Sequence, residues 1–234
     1  KEKLISCGVQ FTTNSDTEVL LRSYIHWKYD FLNVIEGMFA FAIYDKQENS
    51  LFLCRDHLGQ KPLYYSHQNG IFVFASELRS LIKHPLLKKK ISFKNILKYH
   101  SYDIFPYETT PFENIFKVLP GHYLEFKNNM LRTKSYWNCF PHSRNNNCID
   151  ISDALENLDS LFNTALKKHL RSDVPFGVFL SGGVDSSLIT YYAKKQLHDS
   201  QLYAFNVGIR YSNFDESNIA RIVASEVGAT FKEL

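Results

Sequence analysis

The spacing of apolar residues changes once along the chain, and this change limits the fold more than any other feature. Before the polar stretch at residues 141–147, short and nearly continuous apolar runs dominate, such as residues 38–44, and these are typical of buried strands. After it, segments with helical spacing alternate with short apolar runs. We therefore predict two domains of different class, residues 1–141 and 151–234, joined by a linker at residues 142–150.

The first domain is predicted to be α+β with antiparallel sheet. A polar turn at residues 46–49 separates the apolar run at residues 38–44 from a second run at residues 51–54. Strands that are apolar on both faces must be covered on both sides. Asn69 and Gly70 form the dipeptide that best supplies the positive φ angles of a tight hairpin turn. An amphipathic helix is expected before these strands, with an apolar face formed by Val19, Leu20, Ser23, Tyr24 and Trp27.

The second domain is predicted to be an α/β fold. Its first helix starts at Ile151, where Asp150 or Ser152 is the expected cap, and ends near His169. Alternating strands and helices imply a parallel sheet with right-handed crossovers, and ligands bind outside the carboxyl ends of such strands. The elements that follow are predicted as a strand at 176–180, a helix at 184–198 with Leu188, Tyr192, Ala193 and Leu197 inward, a strand at 202–207 and a helix at 215–227.

Charge and composition exclude several classes of protein. The 234 residues carry 27 Lys and Arg against 24 Asp and Glu, a formal net charge of +3, so no nucleic-acid partner is expected. No apolar run is long enough to span a bilayer, and no membrane association is expected. The cysteines lack metal-site spacing, which indicates reduced thiols and a cytoplasmic protein: Cys7, Cys54, Cys139 and Cys148.

The sharpest chemical signal is the segment LSGGVDSS at residues 180–187, which follows a predicted strand and opens a predicted helix. Gly182 and Gly183 let the backbone approach a ligand closely, and the helix N-terminus presents partial positive charge. Three serine hydroxyls add hydrogen-bond donors. The segment is therefore typical of a cradle for phosphate oxygens.

Two other loop types do not fit this segment, and one alternative stays open. A phosphate loop of the GxxxxGK[ST] type requires a lysine after its second glycine, where this chain has Gly183 or Val184. A serine-hydrolase elbow of the GxSxG type requires a glycine two residues before Ser181, where this chain has Phe179. The remaining alternative is a Gly-Gly turn with incidental serines.

Several segments carry a resemblance to known enzymes. Residues 181–187 are similar to the pyrophosphate loop of the ATP-pyrophosphatases, which cleave ATP between its α- and β-phosphates. The rest of the chain resembles the glutamine-hydrolysing asparagine synthetase family, with further motifs in the family's order. These motifs are EGMFAFAIYD (36–45), RDHLGQKPLYY (55–65), FASE (74–77), LPGH (119–122), FNVG (205–208) and FDES (214–217).

The resemblance implies a glutaminase domain with an αββα sandwich of antiparallel sheets, followed by the start of a parallel-sheet domain of the adenine-nucleotide α-hydrolase type. In this family, glutamine hydrolysis supplies ammonia, which an internal tunnel keeps concentrated and unprotonated. ATP with Mg2+ adenylates the side-chain carboxylate of aspartate, pyrophosphate leaves, and ammonia forms the amide. The implied small-molecule partners are glutamine, aspartate and ATP, and a homodimer is compatible with the resemblance.

The resemblance also implies roles for individual residues. Asp185 is implied to meet Mg2+, since hard cations prefer carboxylate oxygen, and the alternative is that it caps the following helix. Asp16, in the segment SDTE, is implied to bind the α-amino group of glutamine, and the alternative is again helix capping. The other implied ATP-binding residues are Leu180 and Val207 beside the adenine nucleoside and Ser181, Gly182, Gly183 and Ser186 at the phosphates.

No catalytic nucleophile is expected within this chain. The family's amino-terminal cysteine belongs upstream of Lys1 and its second nucleotide motif downstream of Leu234, so we expect an internal fragment of a working enzyme. Cys7 lacks the expected Met-Cys-Gly context, and we interpret it as an ordinary small apolar residue. Two alternatives stay open: a related amidotransferase or β-lactam-synthetase-like enzyme acting on another carboxylate, and a non-catalytic nucleotide-binding remnant.

Overall fold

The chain forms two compact units, Lys1–Arg144 and Asn145–Leu234. Residues 140–149, which include all of the predicted linker except Asp150, lie outside the described residues, as does Phe214 of the FDES motif. The computed structural model describes residues 1–139, 150–172, 174–197, 200–208 and 215–234.

Helices and strands alternate irregularly in the first unit, which also contains a 3₁₀ segment at Lys28–Asn33. The elements in chain order are α1 (Glu2–Ser6), α2 (Asp16–Trp27), β1 (Ala40–Asp45), β2 (Ser50–Arg55), β3 (Tyr64–Gln68), β4 (Ile71–Ala75), α3 (Leu78–Leu81), α4 (Phe93–Tyr102), β5 (Phe116–Lys117), β6 (His122–Lys127) and β7 (Met130–Ser135).

The strands of the first unit form two antiparallel sheets, ordered β1-β2-β6-β7 and β4-β3-β5, which confirms that its sheet is antiparallel as predicted. β1 and β2 form a hairpin in which Ala40 lies opposite Arg55 and Asp45 opposite Ser50. The predicted tight turn between β3 and β4 is also confirmed, because Asn69 and Gly70 have φ angles of 51° and 75°.

Both faces of β2 are buried, as its continuous apolar run predicts. Phe52 and Leu53 point to opposite faces of the sheet, and their side chains are 1% and 0% exposed. Phe52 belongs to a core with α2 and the 3₁₀ segment that includes Tyr24, Phe31 and Leu32. The other face joins the two sheets, through a cluster of Leu53, Leu63, Val118 and Leu124 with Tyr65 and Phe72 packed against it.

A third cluster covers the far face of the second sheet. Leu81, Leu87 and Ile115 are buried there, and residues of β3 and β4 such as Tyr64 and Val73 pack against them. Tyr64 and Tyr65 are neighbours in β3, so their side chains point to opposite faces of the sheet. In the first unit, one buried cluster therefore lies between helix and sheet, the next between the two sheets, and the third between sheet and helix.

The second unit contains one parallel sheet with the order β10-β9-β8, which confirms the predicted parallel pairing. A buried cluster between the sheet and its helices includes Val178, Leu202, Ala204, Ala220 and Ala224. The elements are α5 (Ile151–His169), β8 (Gly177–Phe179), α6 (Val184–Leu197), β9 (Tyr203–Asn206), α7 (Ser217–Val227) and β10 (Thr230–Glu233).

Two details of these helices differ from the sequence expectation. Leu188 of α6 was predicted to point inward but is 46% exposed, whereas Thr190 of the same helix is fully buried. The Thr190 hydroxyl donates to the Ser186 carbonyl, so this polar side chain is satisfied inside the core. At the start of α5, Asp150 occupies the N-cap position, but its side chain makes no capping bond. Within the described ranges, no helix combines the length and the apolar content that crossing a bilayer would require.

Replacing Phe52 by alanine is expected to destabilise the first unit by about 3–5 kcal/mol, because the ring is buried and leaves a cavity. Phe93→Ala is the matched control, since that ring is 80% exposed, and its effect is expected to stay within about 0.5 kcal/mol. Both tryptophans, Trp27 and Trp137, lie in the first unit, so urea unfolding followed by tryptophan fluorescence reports on it alone. Equal losses in the two variants would contradict the described core.

Candidate functional site

The LSGGVDSS segment forms the turn from β8 into α6, as its sequence predicts. Leu180 is 1% exposed, and its N–H donates to the Phe205 carbonyl at 2.8 Å, which extends the pairing of β8 with β9 by one residue. α6 begins four residues later, at Val184. The turn therefore leaves the sheet at the carboxyl end of a parallel strand, where ligands of such sheets bind.

Gly182 and Gly183 have different physical roles in this turn. Gly182 has a φ of +96°, and a Cβ added there would lie 3.0 Å from the Glu216 carbonyl oxygen and 3.2 Å from the Ala220 nitrogen. The fold thus requires glycine at 182. Among the described residues, a Cβ at Gly183 would meet only the Ser181 hydroxyl, at 3.5 Å, so this part of the chain leaves room for a side chain there.

The serine hydroxyls of the segment gather at the first turn of α6. The Ser181 and Ser186 hydroxyl oxygens are 3.0 Å apart. The Ser186 and Ser187 hydroxyls each donate to the Gly183 carbonyl, at 3.1 and 2.7 Å. These hydroxyls lie at the positive end of the α6 dipole, and a helix N-terminus of this kind favours an anion.

A cleft of about 270 Å³ lies beside this turn. It brings together three of the predicted residues, Leu180, Ser181 and Val207, and the Val207 side chain is 64% exposed. The sequence assigned no role to the other lining residues, although the FNVG and FDES motifs contain most of them: Phe179, Phe205, Asn206, Asp215 and Glu216.

Asp185 is the second residue of α6, so it does not occupy the N-cap position that the alternative to a Mg2+ role requires. The helix already begins at Val184, so the carboxylate lies inside the first turn, where it is exposed. The described residues contain no group of three or more His, Cys, Asp and Glu side chains that would hold a metal ion by themselves. A single exposed carboxylate beside a glycine-serine turn nevertheless fits Mg2+, which is commonly held by one or two carboxylates together with substrate phosphates.

Asp16 lies in the first unit, at the first position of α2, and does not cap the helix. The cap is Ser15, whose hydroxyl oxygen accepts a hydrogen bond from the Thr17 N–H at 3.2 Å. The Asp16 carboxylate is exposed at a cavity of about 770 Å³. The lining residues of this cavity also include Glu36, Gly37, Met38, Lys61, Pro62 and Ser76.

Glu18 fixes the chain before Asp16. Its carboxylate accepts hydrogen bonds from the hydroxyl and N–H groups of both Thr12 and Thr13. These hydrogen bonds lower the pKa of Glu18 to about 2, and the bond from the Thr13 hydroxyl has the largest effect. The cavity wall at Lys61 is fixed in a similar way, because buried Asp56 accepts the N–H groups of Gln60 and Lys61 at 2.8 Å each.

The described cysteines, Cys7, Cys54 and Cys139, are free thiols. Cys7 is exposed at the end of α1. Cys54 is buried in β2, and burial raises its pKa above the usual range of a thiol.

Comparison with protein families gives two matches. Residues 1–137 match the family described as glutamine amidotransferase domain, and residues 157–234 match the family described as asparagine synthase. The first match covers most of the first unit, and the second contains the LSGGVDSS turn with its cleft.

Curated proteins with similar sequences carry both activities in their names. The chain is 38% identical over 197 residues to asparagine synthetase [glutamine-hydrolyzing] 3 of Bacillus subtilis, covering 82% of this chain and 31% of that protein. It is 35% identical over 233 residues to asparagine synthetase [glutamine-hydrolyzing] 1 of the same organism, covering 97% and 35%. It is 31% identical over 240 residues to asparagine synthetase B [glutamine-hydrolyzing] of Escherichia coli, covering 96% and 37%. The chain spans about a third of the length of these relatives.

The two glycines are expected to respond differently to the same substitution. Gly182→Ser should destabilise the second unit by at least about 1 kcal/mol, because a side chain at positive φ is strained and meets α7. Gly183→Ser should cost less than about 0.5 kcal/mol, since the site is open and serine suits the position before a helix. Calorimetry measures both, with the second unit identified as the transition silent in tryptophan fluorescence. The reverse order of stabilities would contradict the described turn.

Proposed function

Because the chain belongs to the glutamine-hydrolysing asparagine synthetase family, we propose that the whole protein makes asparagine from aspartate, glutamine and ATP. Glutamine hydrolysis supplies ammonia, ATP adenylates the side-chain carboxylate of aspartate with release of pyrophosphate, and ammonia forms the amide. The observation that carries the proposal is the occurrence, on one chain, of an amidotransferase match and a glycine-serine turn at the end of a parallel strand.

The second unit is proposed to bind ATP at the cleft beside the LSGGVDSS turn. Leu180 and Val207 flank the adenine nucleoside, one as the buried floor and the other as an exposed apolar surface. The phosphates lie at the first turn of α6, where the hydroxyls of Ser181 and Ser186 are 3.0 Å apart. Gly182 holds the turn against α7, and Gly183 keeps open the space through which a phosphate approaches the backbone.

Asp185 is proposed to hold Mg2+ through its exposed carboxylate, with phosphate oxygens as the other ligands. When bound, Mg2+ neutralises negative charge on the phosphates that leave as pyrophosphate. The protein groups orient the α-phosphate toward the aspartate carboxylate, because hydrogen bonds from the turn fix the rest of the nucleotide.

The first unit is proposed to bind glutamine in the cavity of about 770 Å³. The Asp16 carboxylate, exposed at this cavity, pairs with the α-amino group of glutamine, and the Glu18 hydrogen bonds keep Asp16 in place. We propose no nucleophile among residues 1–234.

The finer architecture is part of the same proposal. Residues 1–141 would form an αββα sandwich, which the succession of buried clusters supports, and residues 151–234 the start of an adenine-nucleotide α-hydrolase fold. Residues 142–150 would be the linker. We further propose a cytoplasmic enzyme for small-molecule substrates, in agreement with free thiols and a net charge of only +3.

Gly183→Val is expected to weaken binding of ATP with Mg2+ to this polypeptide at least about tenfold, because the side chain fills the space through which a phosphate reaches the backbone. Calorimetric titration measures the affinity, and circular dichroism checks the fold. Asp150→Val is the matched control, since it places valine at the N-cap of α5, away from the cleft. Unchanged affinity in Gly183→Val would show that phosphates bind elsewhere.

Asp16→Asn in the whole protein is expected to raise the KM for glutamine about ten- to hundredfold, because a charge-assisted pair is lost. Asparagine synthesis from added ammonia should stay unchanged, since it bypasses the glutamine site. Asp30→Asn, an exposed aspartate outside the cavity lining, is the control. Loss of the ammonia-dependent reaction in Asp16→Asn would contradict the proposed role.

A further inference from the structure

A buried amide joins three elements at the nucleotide cleft. Asn206 is the last residue of β9 and is 5% exposed. Its side-chain Nδ2 donates to the Leu180 carbonyl at 2.8 Å, where β8 enters the LSGGVDSS turn. Its Oδ1 accepts a hydrogen bond at 2.8 Å from the hydroxyl of Ser217, the first residue of α7. One side chain thus bonds the turn and a neighbouring helix at the same time.

The bond to Leu180 fixes the peptide at which the turn begins. The Leu180 N–H still pairs with the Phe205 carbonyl, but β8 itself ends at Phe179. Beyond that point the Leu180 carbonyl accepts its hydrogen bond from a side chain, and a buried carbonyl needs such a partner. Because Asn206 supplies it, the amide sets the orientation of the peptide between Leu180 and Ser181.

The hydrogen bond between Asn206 and Ser217 holds α7, the helix against which the turn packs. Gly182 packs against the first turn of α7, with its Cβ position 3.0 Å from the Glu216 carbonyl oxygen. Ser217 is buried, and its N–H donates to the Asp215 carboxylate at 3.0 Å. The same carboxylate lies 2.5 Å from the Ser217 hydroxyl, so it shares the hydroxyl hydrogen with Asn206. A shift of α7 would therefore move both contacts of the turn, the one at Gly182 and the one through Asn206.

We propose that Asn206 is a positioning residue for the nucleotide turn, acting through the Leu180 carbonyl and the Ser217 hydroxyl. This inference rests on the proposed ATP site. Both ends of the amide are engaged by protein groups, so the residue influences ATP through the turn. The neutral amide serves both partners, because its NH2 group is the donor that the carbonyl requires and its oxygen is an acceptor for the hydroxyl hydrogen.

The variant Asn206→Asp tests the hydrogen bond to Leu180 without a change in side-chain size. It removes the donor, while the shape of the side chain stays almost the same. When the new carboxyl group is ionised, it has an oxygen facing the Leu180 carbonyl and no hydrogen to donate. When it is protonated, it again has a hydrogen to donate. Burial and nearby carboxylates raise the pKa of the new acid. Within the part of the chain that the structure describes, the charged groups around it are Asp215 and Glu216 before α7, Glu233 on β10 and Arg221 on α7, which pairs with Glu233.

The experiment measures the affinity of this polypeptide for ATP with Mg2+ at about pH 8 and about pH 5.5, as a ratio to the unaltered chain at each pH. Asn206→Asp is expected to bind about tenfold more weakly at the higher pH and to recover to within about threefold at the lower. Asn206→Ala should lose affinity equally at both. Gln201→Glu is the matched control, an amide-to-acid change at the other end of β9 that also removes a donor, here to Thr230.

Each outcome decides between the proposals. If the unaltered chain binds ATP and the Asn206→Asp ratio stays near one at both pH values, the positioning role is refuted and the ATP site stands. A loss that does not recover at low pH and accompanies a lower melting temperature also refutes it, since Asn206 would then be needed only for folding. If the unaltered chain fails to bind ATP, the proposed function and this inference fall together.

Discussion

The second unit depends on one close approach, the packing of the Gly182 peptide against the first turn of α7. A left-handed φ of +96° and the absence of a Cβ let the chain leave β8 and enter α6 within four residues. This tight turn places Ser181 at the cleft and brings its hydroxyl within 3.0 Å of the Ser186 hydroxyl at the start of α6.

Neighbouring glycines in this turn differ in the room that the fold leaves around them. At Gly182 the surrounding backbone leaves no room for a side chain, whereas at Gly183 the protein leaves room that it does not need for its own packing. Open space beside clustered hydroxyls and a helix N-terminus is what a phosphate group requires. The first unit also has some residues that hold the fold and others that stay open to a ligand. Glu18 and Asp56 hold backbone segments by hydrogen bonds, whereas Asp16 stays exposed at the cavity.

Much of the fold follows from apolar spacing. The continuous run at β2 predicted burial on both faces, and Asn69 with Gly70 predicted the hairpin turn. Boundaries were harder to predict, because Ser15 and Asp16 are both good caps and lie one residue apart. Thr190 was missed because periodicity treats threonine as polar, although its hydroxyl bonds within its own helix.

Part of the cleft lining was predictable from the sequence, whereas the hydrogen bonds that hold the turn were not. Leu180, Ser181 and Val207 do lie in one cleft, but the amide of Asn206 that ties the turn to α7 gave no signal in a single sequence. A polar residue at a strand end is usually solvated, and only the three-dimensional arrangement shows this one buried. The roles of Asp16, Asp185 and the turn residues toward their ligands stay predictions.

The most direct test of the proposed function is the balance of products formed by the whole protein from glutamine, aspartate and ATP. A reaction through an acyl-adenylate predicts AMP, pyrophosphate and asparagine in equal amounts, with no cleavage of ATP when aspartate is left out. Formation of ADP and phosphate, or ATP cleavage that does not depend on aspartate, would contradict it.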